Sequence, residues 1–159
     1  GEYSESEQLI RKTFADKKSI THAELDRYIQ VVFDFQTVQQ HEIALRLFAL
    51  ISMQGLEDNL RRELYFWKAE SHMALRQYDR AALNYLESAY AVKDGASDLW
   101  GQSARFKAGT ALQEGAIYDD AEKVFNDLLV ITASESRRAL IKQNLQKINL
   151  QKSVVSGSS

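Results

Sequence analysis

Ala69-Glu70-Ser71-His72-Met73-Ala74-Leu75-Arg76-Gln77-Tyr78-Asp79-Arg80-Ala81 and Gly109-Thr110-Ala111-Leu112-Gln113-Glu114-Gly115-Ala116-Ile117-Tyr118-Asp119-Asp120-Ala121 are two copies of one pattern. In the first, Tyr78, Ala81 and Tyr85 follow Ala69 by nine, twelve and sixteen residues; in the second, Tyr118, Ala121 and Phe125 follow Gly109 at the same spacings, 40 residues later. A weaker copy stands 37 residues upstream of the first, where His41, Ala44 and Phe48 follow Val32 identically. A fixed register of small and aromatic positions marks a repeat architecture, in which each unit buries its apolar face only against its neighbours. The small residues let two helices approach closely, and the aromatic one turn later fills the space between repeats.

Outward from these anchors, each copy reads as a helix pair: 21–37 with 40–54, 57–75 with 78–92, and 98–114 with 118–132. Thr21-His22-Ala23-Glu24 has capping-box spacing and marks the first start. Gly55, Gly95 and Gly115 fall at junctions, where a left-handed residue ends a helix without a Cβ clash. Ser4-Glu5-Ser6-Glu7 repeats the capping-box spacing and leads into Leu9, Ile10 and Phe14, which predicts a short helix over 5–17. Ala139, Leu140, Leu145 and Ile148 predict one apolar stripe on a closing helix from Glu135 to about Leu150, and the polar run from Ser153 to Ser159 is expected to fray. The organisation is thus an extension over 1–20, repeats over 21–56, 57–96 and 97–132, a capping helix over 133–150 and a flexible tail over 151–159.

Composition agrees with an all-α fold. Proline is absent among the 159 residues and glycine occurs seven times, so little punctuates the Ala-, Leu-, Gln- and Glu-rich stretches. Twenty basic and 22 acidic side chains leave a formal charge of −2, which offers no net attraction to nucleic acid. The basic pairs Lys17-Lys18, Arg61-Arg62 and Arg137-Arg138 read as solvated helix faces. Without cysteine there is no disulfide, thiolate catalysis or zinc-thiolate site. No apolar run approaches the roughly 18 residues needed to span a bilayer, so membrane insertion is not expected. A start at Gly1 without methionine suggests an excised fragment or a processed form.

The three segments resemble tetratricopeptide repeats, most closely over 66–89 and 106–129, and the resemblance covers about two thirds of the chain. It implies a right-handed helical solenoid of three helix-turn-helix repeats closed by a C-terminal capping helix, acting as a protein-binding scaffold without cofactors. The chain departs from the family in its offsets of 37 and 40 against a usual period of about 34, in its lack of proline, and in Lys68 at an expected apolar position. Lengthened repeats of this kind are similar to those of bacterial cell-envelope proteins, such as the repeat domain of the Tol-Pal-associated coordinator and outer-membrane assembly lipoproteins; 125–148 carries most of that likeness. It implies a periplasmic location, with the cytoplasm as the alternative. Type III secretion chaperones form another similar three-repeat group.

In the tetratricopeptide frame the first helix of each repeat lines the concave face. This places Ile29, Phe66 and Phe106 in one row, Phe33, Glu70 and Thr110 in the next, and Gln36, Met73 and Gln113 deepest, an apolar lane suited to a protein or peptide segment. The competing reading is that Ile29, Phe33, Phe66 and Phe106 fill interhelical core. A clamp for a partner's C-terminal carboxylate is not expected, since these positions supply no cation and Glu70 would repel the ligand. Self-association through 1–20 or the closing helix is the rival to partner binding.

Chemistry finds no foothold. His22, His41 and His72 lack metal-ligand spacing, and Glu57-Asp58 and Asp119-Asp120 stand at helix starts, where acids complement the dipole. There is no phosphate loop, nucleophile elbow or Cys-His pair, so the chain is not expected to be an enzyme. Trp67 and Trp100 are both contact and core candidates, with Trp100 the better contact because it follows the long turn Asp94-Gly95-Ala96-Ser97.

Overall fold

A computed structural model describes residues 21–157, together with Glu5 and Gln8. The helix expected over 5–17 lies outside the described residues apart from Glu5 and Gln8, which are helical. Among the described residues the chain is all-α: α1 (His22–Thr37), α2 (His41–Phe48), α3 (Asp58–Ala74), α4 (Tyr78–Tyr90), a 3-10 turn (Gly95–Ser97), α5 (Leu99–Glu114), α6 (Tyr118–Ile131) and α7 (Glu135–Gly157). Residues to Leu56 and residues from Glu57 form two compact units.

In the first unit the capping box forms as its spacing requires. Glu24 N–H donates to Thr21 Oγ1 at 3.3 Å and Thr21 N–H to Glu24 Oε2 at 3.1 Å. The α1 helix packs on α2, and Tyr28 Oη donates to the Leu47 carbonyl at 2.6 Å. Helix α2 stops at Phe48, well before the expected Gln54. Leu50 and Ile51 N–H bond back three residues to the Leu47 and Phe48 carbonyls, tightening the last turn. Ser52 and Gly55, with φ +82°, then break the pattern.

In the second unit each helix packs on its neighbour in sequence, α3 on α4, α4 on α5, α5 on α6 and α6 on α7, with a lighter contact of α5 on α7. That is the packing of a chain of helical hairpins with short connections. All nine anchor positions are buried: Val32, Ala69 and Gly109; Ala44, Ala81 and Ala121; Phe48, Tyr85 and Phe125. The reason is clearest at Gly109, where a Cβ would stand 2.8 Å from Phe125 Cζ, so the aromatic ring occupies the space a side chain would need.

The hairpin turns repeat at the same offsets as the sequence. Gln40, Gln77 and Ile117 N–H bond to the carbonyls five residues back, Phe35, His72 and Leu112, and the residue before each is left-handed: Gln39 at φ 61°, Arg76 at 56° and Ala116 at 59°. This is the Schellman closure of a helix C-terminus. Here the glycine expectation is corrected. Only Gly55 of the three junction glycines is left-handed; Asp94 (φ 60°) takes that role beside Gly95, and Ala116 takes it beside Gly115. Gly115 instead meets a packing demand, since a Cβ there would come within 2.9 Å of Tyr78 Cβ.

At the C-terminal end α7 runs to Gly157, past the expected stop near Leu150 and through most of the segment expected to fray. Two contacts anchor the extra turns: Lys152 Nζ reaches Asp119 Oδ1 at 2.7 Å and Glu122 Oε2 at 2.8 Å, and Gln113 Nε2 donates to Gln151 Oε1 at 2.9 Å. Its inward stripe is Ile141, Leu145 and Ile148, a helical seam at i, i+4 and i+7; Ala139 and Leu140, expected in the stripe, lie outside it and are exposed.

Candidate functional site

Two of the basic pairs read as solvated are anchors between elements. Arg61 donates to the Ala91 carbonyl at 2.9 Å, just past the end of α4. Arg138 Nη1 donates to the Leu129 and Thr132 carbonyls at 2.7 and 3.0 Å, at the end of α6. Neither α4 nor α6 has a basic residue in its own last turn, so a distant arginine satisfies the open carbonyls. Arg62 is buried, 7% exposed. It grips Asp98 with two nitrogens at 2.8 and 3.1 Å, reaches the Gly95 carbonyl at 3.3 Å and lies over the Trp100 ring at 5.7 Å. Asp98 also caps α5 by accepting from Gly101 N–H at 2.6 Å. Trp100 Nε1 donates to Ser88 Oγ at 2.9 Å, and Ser88 Oγ donates to the Arg62 carbonyl at 2.6 Å. This network fixes the long turn between α4 and α5 and ties Trp100 into the packing.

The residues expected to line the groove divide into three groups. Ile29 is buried and Phe33 half-buried, both on α1 in the first unit. On α3, the Phe66 ring is ringed by aromatics, with centroids 5.7 Å from Trp67, 5.5 Å from Tyr85 and 5.2 Å from Trp100. Glu70 accepts from Tyr85 Oη and from Lys107 Nζ, the latter at 2.6 Å. Burial first, and then the Glu70 carboxylate, push the Tyr85 phenol above its usual range, so it stays protonated as the donor. Met73 packs on the core of the second unit. On α5, Thr110 Oγ1 bonds back to the Phe106 carbonyl, and Gln113 is buried against α7.

Phe106 opens onto a cavity. Its ring packs on Phe125 at 5.5 Å, edge to face, and forms part of a cleft of about 230 Å³ between α5 and α7 with α6 behind. Leu128, Leu140 and Ile141 complete the apolar surface, and Lys107 and Arg137 stand at the rim. Leu140 is 51% exposed, and Arg137 has no ion-pair partner among the described residues. Lys107 links this cleft to α3, since it also lies 5.4 Å over the Phe66 ring. The volume falls below the few hundred Å³ of a typical small-molecule pocket and suits one apolar side chain of a bound segment.

The sequence places Leu140 in the closing helix's apolar stripe and Arg137 on a solvated face, and assigns neither to a site. The helical wheel of α7 carries the signal, because a seam at Ile141, Leu145 and Ile148 leaves Leu140 about 100° to one side, an apolar residue with no reason to be there for packing on α6 alone. Among the described residues no three His, Cys, Asp or Glu side chains converge as a metal site, and no helix is long and apolar enough to cross a membrane. Comparison of the chain with protein families, curated proteins and solved structures finds no match in any of the three, so the function is read from the geometry of the cleft.

Proposed function

We propose that this chain is a tetratricopeptide-like solenoid that holds a segment of a partner protein against the first helices of its repeats, as a non-catalytic adaptor. The observation that carries the reading is the apolar cleft between α5 and α7, with Phe106 and Leu140 on its surface and an unpaired Arg137 at its rim. An apolar anchor from the partner fills the cleft, where exclusion of water supplies the affinity. A neighbouring acidic residue meets Arg137 and sets the register. The repeated Schellman turns, Gly109 under Phe125 and the neighbour-to-neighbour packing within the second unit support the solenoid. The likeness of 125–148 to envelope repeats supports a place in the bacterial cell envelope.

Panning a phage-displayed peptide library tests this. Wild type should enrich sequences with an aromatic or aliphatic anchor beside Asp or Glu. Leu140→Asp, at a half-exposed position, should lose that binding about tenfold or more without a change in melting temperature. The absence of any enriched sequence whose binding is lost with Leu140→Asp refutes the assignment, whatever other sequences the variant retains. A second reading, self-association, is favoured by the apolar residues Leu150, Val154 and Val155, which are 68%, 69% and 61% exposed on the last turns of α7. Mass in solution at increasing concentration separates it from the first.

A further inference from the structure

On the other side of α5 from the Phe106 cleft, a groove of about 540 Å³ runs between α4 and α6. Leu83 and Tyr90 of α4, 59% and 60% exposed, and Val124 of α6 form its apolar walls. Arg105 of α5 lines it from between the two helices. Arg105 is 8% exposed, yet it has no hydrogen bond or ion pair among the described residues. Its guanidinium is open to the groove: the one side-chain nitrogen sealed from solvent without a partner among the described residues is Arg62 Nε. The contrast between the two arginines is informative. Arg62, equally buried, spends two nitrogens on Asp98, whereas Arg105 keeps its whole fork of donors unengaged. Solvent reaches this mostly buried guanidinium, and the rigid planar donors it presents to the groove match a carboxylate.

We propose that the α4–α6 groove is a second docking site, in which Arg105 receives the side-chain carboxylate of an Asp or Glu set among apolar residues in a segment of a partner protein. Leu83, Tyr90 and Val124 take up the flanking apolar side chains. Asp79, Asp120 and Asp127 line the same groove together with Lys123, so three acids against two cations disfavour a polyanion and limit the segment to an isolated acidic residue. The site is independent of the Phe106 cleft, because Arg105 and Phe106 point to different sides of one helix.

The same display library, panned on the Leu140→Asp chain, isolates this site, and because the displayed peptides are fused at their C-termini only side-chain carboxylates are offered. Sequences with Asp or Glu between apolar residues are expected. In a synthetic copy of the enriched peptide, Glu→Gln or Asp→Asn should weaken binding about tenfold or more, and Arg105→Gln in the protein should do the same. Binding that tolerates either change overturns the proposal, as does the absence of any Arg105-dependent enrichment. Should Arg105→Gln fail to fold, the carboxylate-to-amide change in the peptide, measured on the Leu140→Asp protein, decides by itself.

Discussion

Removing either end of the Arg62–Asp98 pair should have unequal consequences, and the inequality follows from where each group sits. Arg62 is 7% exposed, with its Nε already unpartnered, while the Asp98 side chain is 44% exposed. Asp98→Asn keeps a good N-cap for α5, so little is lost there. It removes the counter-charge and puts an NH2 donor against Arg62 Nη1, leaving the buried guanidinium only the amide Oδ1 and the Gly95 carbonyl as acceptors. Breaking a buried pair in this way costs about 3–5 kcal/mol, and access of water to Asp98 puts this one at the lower end, about 3 kcal/mol. Arg62→Met removes the buried charge and the orphaned Nε together and retains much of the stem's packing. Asp98 then returns to water, and the loss is about 1–2 kcal/mol from the hydrogen bonds and the Trp100 contact. For a cooperative unit of about 100 residues each kcal/mol moves Tm by roughly 4–8 °C, so Asp98→Asn should melt at least about 4 °C below Arg62→Met. Urea and thermal unfolding of the full chain followed by circular dichroism measures both. If Arg62→Met is equally or more destabilising, the pair is not acting as a buried cation with a solvated partner, and the account of this turn is wrong.

Two further outcomes concern the turns and the core. Ala116→Gly should raise stability by about 0.5–1 kcal/mol, because alanine at φ 59° carries a Cβ penalty that glycine lacks, partly offset by the freedom glycine gains in the unfolded chain; Gly115→Ala should lower stability, since its Cβ would meet Tyr78 at 2.9 Å. A melting pair in which Gly115→Ala is neutral and Ala116→Gly destabilises would contradict that reading. His72 is 7% exposed and its Nδ1 lies 2.7 Å from Gln77 Oε1. Burial holds its imidazole below the usual 6.5, with Lys68 and Arg80 acting the same way and the Gln77 hydrogen bond and Asp79 opposing. The unfolded chain therefore binds more protons than the folded one between the lowered value and 6.5, so this contribution is complete above 6.5 and is lost as pH falls below it. Urea midpoints from pH 7.5 to 5 should fall for wild type and stay flatter for His72→Gln; parallel curves would exclude His72 as the cause.

Much of the site's scaffold is legible in the order of the amino acids. Val32, Ala69 and Gly109, with Phe48, Tyr85 and Phe125, are all buried as their spacing requires, and Gly109 meets Phe125 within one helical pair rather than between repeats. The cleft is only half legible. Phe106 stands out for its place on the first helix of its repeat, but Leu140 and Arg137 come from the closing helix, and their relation to Phe106 depends on how α7 lies across α5 and α6. Phe66 illustrates the converse. Its register is that of a groove residue, yet it is half-buried against the rings of Trp67, Tyr85 and Trp100, and Trp100 arrives from α5.

What the sequence alone determined about this protein is the all-helical class and the register in which small and aromatic residues recur. These are local properties, set by helical period and by the size of side chains three or four positions apart. Tertiary structure alone decided the fate of the charges and the turns. Arg62 and Arg105 look alike in sequence, both arginines in the first half of a repeat's first helix, yet one is gripped by Asp98 and the other faces a groove unpaired. Arg76 and Ala116, rather than Gly115, take the left-handed conformation, because helix packing leaves no room for a Cβ at Gly115 and the Schellman hydrogen bonds fall one residue later. Burial and pairing of a long side chain depend on what the neighbouring repeat brings within reach, and that is information no single helix carries.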